Sequence, residues 1–375
     1  MIIKLNARQI LMSASASLFC LSACATPPKP EEATTSVVQT PSYLNFADTT
    51  ENRKNLELAI QEYEQVRKDH GKSITVNGID MFYLEWGEPG GIPLIWSHGY
   101  SSRSFGLMQV GDDLAKAGFH VIALDSRGHG ETKVSNYDFS LSHLADDIRA
   151  VMDELGMEKA VIGGLSLGGF ISTTFYDHYP ERTLALVLED GGSYYVQGHL
   201  EKNYHLVKDL DLSYGPNSEK LFPSFFDAFK ELIELFQMMW PEEIEASKYA
   251  MLASLIVETE EGKFKYRHDG LKLWGDGTKA AFNPAEAHVT PMLHQSWRRV
   301  HPLITFRNLH VPMIVIDPIG DHIHLSDQNE KLRQLHPELI SVIEYPGAPH
   351  SAHQFRPEWL VRDLTNLLEQ LEQQK

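Results

Sequence analysis

Ser166 stands at the centre of Gly164-Leu165-Ser166-Leu167-Gly168. A Gly-x-Ser-x-Gly run suits a serine raised out of a sharp strand-to-helix turn, because the flanking small residues let the chain bend tightly around it. A serine hydroxyl is a weak nucleophile and needs a base within hydrogen-bond reach. His350, in Tyr345-Pro346-Gly347-Ala348-Pro349-His350-Ser351, follows the last apolar run and precedes the last amphipathic one, where a loop can fold back over a sheet edge. His353 competes for that role, although a polar loop residue is its plainer reading. The imidazole in turn needs a carboxylate to fix its tautomer. Asp321, in Asp317-Pro318-Ile319-Gly320-Asp321, is the expected acid, with Asp317 and Asp190 as alternatives. A developing oxyanion needs two backbone N–H donors. Leu167, directly after the serine, is expected to give one, and Tyr100, after the run ending Ser97-His98-Gly99, the other; His98 itself reads as structural.

Competing chemistries fall away on composition. The chain has 375 residues, a net charge of −18 and only two cysteines. No basic stripe exists to displace counterions from a nucleic acid, so a nucleic-acid partner is excluded. His322-Ile323-His324 resembles half of a metal site, but no further ligand follows at metallo-hydrolase spacing, and no metal or cofactor is expected. The expected partner is a small acyl substrate; the oligomeric state is not legible.

The elements that must position these residues are readable from periodicity. Thr49 or Thr50 can cap a helix running to about Lys72. Ile74 to Asp80 reads as a hairpin with an Asn-Gly turn, continuing through Trp86. Short apolar strands then alternate with amphipathic helices: strand 93–97, helix 108–117, strand 121–124, helix 142–155, strand 160–163, helix 169–179 and strand 184–188. That alternation predicts an α/β domain with a mostly parallel sheet flanked by helices. It stops after Gly191-Gly192 and resumes with strands at 311–316 and 339–343 and a helix at 357–369. The interval 194–300 is expected to be a largely helical insertion, a cap placed after the sixth strand, between core segments 46–193 and 301–375.

The first residues carry a different signal. Lys4 and Arg8 precede a short apolar stretch that ends Leu21-Ser22-Ala23-Cys24, the pattern of a secretory signal peptide over 1–23. Leu-Ser-Ala-Cys resembles the lipobox of bacterial lipoproteins. That resemblance implies acylation of Cys24, a disordered Pro- and Thr-rich tether over 24–45, and an anchor in the cell envelope, at the outer membrane since no Asp follows the cysteine. Cys20 would leave with the signal and Cys24 would carry lipid, so no thiol remains as nucleophile or metal ligand.

Taken in order, Val76-Asn77-Gly78, Ser97-His98-Gly99-Tyr100, Asp125-Ser126-Arg127-Gly128-His129-Gly130, the serine elbow, Tyr179-Pro180-Glu181-Arg182, and the Asp321 and His350 loops resemble the α/β-hydrolase superfamily, in its cap-bearing serine branch. Pro318 and Pro349 depart from the glycines usual there. The resemblance implies the chain order Ser166, Asp321, His350 and a serine esterase activity proceeding through an acyl-enzyme. C–C bond hydrolase, lactonase, thioesterase, aminopeptidase and cofactor-free haloperoxidase are the alternatives on the same fold. A non-catalytic binding lipoprotein is the alternative outside enzymology.

Overall fold

The computed structural model describes residues 46–100, 102–198, 201, 220–240, 242–267, 292–318 and 325–373. The proposed signal, Cys24 and the tether lie outside them, as do Asp321, His322 and His324.

Thr49 caps the first helix, α1 (Thr50–His70), its side-chain oxygen accepting the Asn52 N–H at 3.1 Å. The helix turns Leu56, Ala59 and Tyr63 inward, and the Tyr63 ring lies 4.9 Å from that of Phe105. Strands β1 (Gly71–Val76) and β2 (Ile79–Trp86) pair antiparallel through the anticipated turn. Asn77 and Gly78 both take positive φ there, 49° and 75°, which gives the twist a two-residue hairpin needs.

The remaining core elements are β3 (Ile92–Ser97), α2 (Gly111–Ala117), β4 (Phe119–Leu124), α3 (Leu141–Glu154), β5 (Ala160–Leu165), α4 (Leu167–His178) and β6 (Thr183–Glu189). Later come β9 (Met313–Asp317), α9 (Ser326–Arg333), β10 (Ile340–Glu344), α10 (Ala352–Phe355) and α11 (Pro357–Gln373). Eight strands form one sheet in the order β1-β2-β4-β3-β5-β6-β9-β10. β2 is antiparallel to both of its neighbours, and every other pairing is parallel.

Every residue of β4 and β5 is buried, which is why they read as unbroken apolar runs rather than alternating ones. Alternation instead divides their side chains between two cores. Trp96, Val121, Val161 and Val187 face one core with Leu114 of α2 and Leu364 of α11. Ile95, Ile122, Ile162 and Leu188 face the other with Ile148 of α3 and Phe170 of α4.

Between β6 and β9 stand α5 (Phe225–Met239), α6 (Tyr249–Ala253), β7 (Ile256–Glu258), β8 (Phe264–Tyr266), α7 (Met292–Arg299) and α8 (Pro302–Thr305). The interval was expected to be largely helical, and the β7–β8 hairpin is an addition to that expectation. Its turn closes where Thr259 N–H donates to the Lys263 carbonyl, with Gly262 at φ 72°. The interval is bound to the core at several points. Phe46 packs its ring among Phe226, Phe229 and Tyr249. Buried Arg103 donates to the Ser254 carbonyl at 2.9 Å, and the Ser296 hydroxyl accepts the Leu141 N–H at 3.0 Å.

Candidate active site

β5 ends at Leu165, and the next residue, Ser166, turns the chain into α4 with φ 54° and ψ −112°. A non-glycine residue in this region carries about 1–3 kcal/mol of strain and persists only where its surroundings dictate it. Here they do. Ser166 N–H donates to the Glu189 carbonyl at 2.8 Å, which ties the turn to the end of β6. A Cβ on Gly164 or Gly168 would lie 2.3 or 2.0 Å from the Ser97 carbonyl oxygen, and one on Gly191 would lie 2.2 Å from that of Ser166. The elbow is therefore wedged between the end of β3 and the Gly191 turn, with no room for side chains on either side. Leu167 is the first residue of α4, where N–H groups have no intrahelical acceptor and the helix dipole is positive. Gly99 abuts the elbow from the β3 side, its added Cβ 3.6 Å from Ser166 Cβ, so the segment leading to Tyr100 borders the serine.

β5 and β6 run parallel with Leu165 opposite Glu189. Ser166 and Asp190 thus occupy the next position on adjacent strands, which are spaced about 4.8 Å apart. Asp190 has φ 44°, and its N–H donates to the Ile316 carbonyl at 3.2 Å. Its Oδ2 lies 2.5 Å from His350 Nδ1. Among the described residues the carboxylate on His350 Nδ1 is that of Asp190, one of the two alternatives to the expected Asp321, and Asp321 itself lies outside the described residues. The other alternative, Asp317, is committed elsewhere. Its Oδ2 accepts from Asn329 Nδ2 at 3.0 Å and Ser326 Oγ at 3.2 Å, which holds α9 against β9.

His353 is no loose loop residue. Its backbone N–H donates to Glu189 Oε1 at 2.9 Å, Nδ1 meets Glu189 Oε2 at 2.7 Å, and Nε2 meets the Gly106 carbonyl at 3.1 Å. Sequence reasoning did not single out Glu189. Its only signal was an acidic residue closing an otherwise apolar strand.

His98 is structural, as read. Its Nδ1 donates to the Gly99 carbonyl at 2.7 Å, its Nε2 accepts the Ser126 N–H at 3.1 Å, and burial pushes its pKa below the usual imidazole value. Asp125 is likewise a support, accepting the N–H groups of Ser104 at 2.7 Å and Glu131 at 2.8 Å. The Tyr100 ring lies edge-on to His129 at 5.7 Å and tilted against His294 of α7 at 6.0 Å. Burial raises the Tyr100 phenol well above its ordinary pKa, so the hydroxyl is neutral. Burial and the Arg298 charge push His294 down to about 3. Trp297, one turn further along α7, packs on Phe170 at 5.5 Å, and Phe170 on Tyr194 at 5.2 Å. Among the described residues, no group of three or more His, Cys, Asp or Glu side chains could hold a metal, and no helix is long and apolar enough to cross a membrane.

Comparison with known proteins agrees with this geometry. Residues 89–233 match a family described as having the alpha/beta hydrolase fold. A 117-residue stretch is 33% identical to the bifunctional esterase/perhydrolase of Acinetobacter calcoaceticus, covering 31% of this chain and 42% of that protein. Over 242 residues the chain is 26% identical to Lipase 1 of Psychrobacter immobilis, covering 59% of this chain and 74% of the lipase. The chain therefore spans less than half of the first relative and about three quarters of the second. The crystal structure of E-2-(acetamidomethylene)succinate hydrolase is similar with a TM-score of 0.60 at 20% identity, covering 80% of this chain and 98% of that one. In strand order, in the turn that carries its serine and in these likenesses, the chain has the α/β-hydrolase fold.

Proposed function

We propose that this chain is a serine hydrolase that cleaves carboxylic esters through an acyl-enzyme on Ser166. The observation that carries the reading is the conjunction of a strained Ser166 with the His350–Asp190 pair, whose acid follows the end of the neighbouring strand β6. Asp190 accepts a hydrogen bond from His350 Nδ1–H, which fixes the tautomer in which Nε2 is the basic nitrogen. Nε2 accepts the Ser166 hydroxyl proton as Oγ attacks the carbonyl carbon. The resulting oxyanion is held by the N–H groups of Leu167 and Tyr100, each donor being worth roughly 3–4 kcal/mol. Collapse expels the alcohol, which takes the proton from Nε2. Water then attacks the acyl-enzyme with the same nitrogen as base, and the carboxylic acid leaves. The ester preference draws on the esterase and lipase relatives, and residues 194–300 are read as the cap that roofs the cleft.

The test is a panel of p-nitrophenyl esters of increasing acyl length, run beside lactones, thioesters and amino-acid amides. Ester turnover that disappears in Ser166→Ala supports the reading. Amide cleavage without ester turnover rejects the substrate class, and undiminished turnover by Ser166→Ala rejects the mechanism.

Acylation of Cys24 and residence in the bacterial envelope, at the outer membrane, complete the proposal and rest on Leu21-Ser22-Ala23-Cys24. Metabolic palmitate labelling that Cys24→Ser abolishes, with release of the protein from the membrane fraction, is the expected result; labelling that survives the substitution overturns it.

A further inference from the structure

β6 ends at Glu189 and Asp190 follows directly, and the two carboxylates leave the chain on different sides. Asp190 meets His350, while Glu189 continues the face of Val187 and meets His353. Glu189 is fully buried and holds the His350 loop by two contacts, its two oxygens taking the backbone N–H and Nδ1 of His353. His353 carries the connection onward, since its Nε2 reaches the carbonyl of Gly106 in the turn that follows the Tyr100 segment. The Glu189 carbonyl also accepts the Ser166 N–H. Three pieces of the proposed machinery therefore converge on the Glu189–His353 pair: the nucleophile turn through the Glu189 backbone, the base loop through the Glu189 side chain, and the β3 loop through His353 Nε2.

We infer that Glu189 and His353 are positioning residues, a buried carboxylate–imidazole clamp that fixes the His350 loop and the β3 loop relative to Ser166. The inference rests on the serine-hydrolase reading above. The hydrogen bonds define what the clamp requires. Gly106 offers only an acceptor, so Nε2 carries a proton, and one further proton lies between Nδ1 and Glu189. The His353 ring is additionally held edge-on to Trp96 at 5.5 Å, which leaves it one orientation.

This geometry makes an unusual ranking of variants. Glu189→Gln loses the charge but keeps every contact: its amide oxygen accepts the His353 N–H, and its amide nitrogen donates to Nδ1 of a neutral imidazole. Glu189→Asp keeps the charge but is shorter by one methylene, so the loop must shift toward the strand or lose its hold. A displacement of about 1 Å at a reacting group costs on the order of 10²-fold in rate. The experiment measures kcat, KM and the rate of fluorophosphonate labelling of Ser166 for both variants, with Tm to establish the folded fraction. We expect Glu189→Asp to lose about 10²-fold in kcat and in labelling rate with KM nearly unmoved, and Glu189→Gln to retain most of both. Asp equal to wild type, or Gln slower than Asp, overturns the clamp, because a pair kept for its charge gives the reverse order. His353→Gln, which keeps the backbone bond to Glu189 but leaves β6 untouched, reports independently. It should lower kcat at constant KM, and wild-type kcat in this variant counts against the inference. Absence of labelling at Ser166 in the wild-type chain refutes the hydrolase reading itself, which separates that failure from failure of the clamp.

Discussion

Asp190–His350 and Glu189–His353 are drawn from the same two chain segments and use the same two chemical groups, yet their surroundings differ. The His350 side chain is 31% exposed against a 2% exposed Asp190, while His353 and Glu189 are 3% and 0% exposed. In the first pair, Nδ1 meets the carboxylate and the ring still reaches solvent, as the proposed exchange of protons with a substrate requires. In the second, both ring nitrogens meet oxygen atoms of the protein, and nothing can exchange without breaking the clamp. The same acid–histidine pairing is thus partly exposed at His350 and sealed at His353, which suits the first to exchange protons and the second to fasten loops.

Substitutions can break this comparison, the strongest first. Ser166→Ala should reduce ester turnover by about 10⁶-fold, the loss typical of removing a triad nucleophile; steady-state kinetics on a p-nitrophenyl ester checks it. Asp190→Asn should lower kcat by about 10⁴-fold, since the amide presents the wrong tautomer to the imidazole. Asp321→Asn should cost far less, and the opposite ranking would return the acid role to Asp321. Arg103 extends the comparison to a buried ionic group at the junction of core and insertion. It donates to Ser254 and to Glu131 at 3.0 Å and lies 3.4 Å from Asp125. Arg103→Met should destabilise the fold by about 3–5 kcal/mol, because it strands a buried charge; urea denaturation reads this, and an unchanged midpoint would contradict it.

The smallest effect is on pH. Burial pushes the Glu131 carboxyl up, but hydrogen bonds and charge from Arg67 and Arg103 outweigh it and bring its pKa from 4.5 down to about 2. A depressed acid contributes stability above its unfolded pKa and loses it as pH falls through the folded one, so this contribution declines between about 4.5 and about 2. His294, brought down from 6.5 to about 3, is a base that folding keeps neutral, so the unfolded chain binds the extra proton between those values. Stability should therefore begin to fall below about pH 6.5. His294→Gln should flatten the decline between 6.5 and 3, and Glu131→Gln the decline below 4.5, as followed by Tm across pH.

Much of this was legible in the residues because local rules and tertiary structure agreed. Asn77-Gly78 named its own turn, the unbroken apolar runs of β4 and β5 named strands buried on both faces, and Gly164 and Gly168 marked the tight elbow. The acid was harder, for a physical reason. Asp190, Asp317 and Asp321 all stand at or beyond the ends of adjacent strands, β6 and β9, and nothing in one chain's spacing says which of them meets His350. The positive φ of Asp190 and the commitment of Asp317 to Ser326 and Asn329 are tertiary facts. The Glu189–His353 clamp was missed because each partner looks ordinary alone, a strand-terminal acid and a loop histidine separated by 164 positions. The β7–β8 hairpin was missed because its strands are three residues long, although Gly262 in Thr259-Glu260-Glu261-Gly262-Lys263 was a turn signal.

The central claim, that Ser166 is a nucleophile activated by the Asp190–His350 pair, is tested most directly by one measurement. The wild-type and Asp190→Asn proteins are exposed to a fluorophosphonate, and the modified residue and its rate of modification are read by peptide mass spectrometry. The account predicts a single adduct on Ser166 that forms rapidly in the wild type and at least a hundredfold more slowly, by order of magnitude, in the variant. No adduct on Ser166 in the folded wild-type protein, or equal rates in the two proteins, would contradict it.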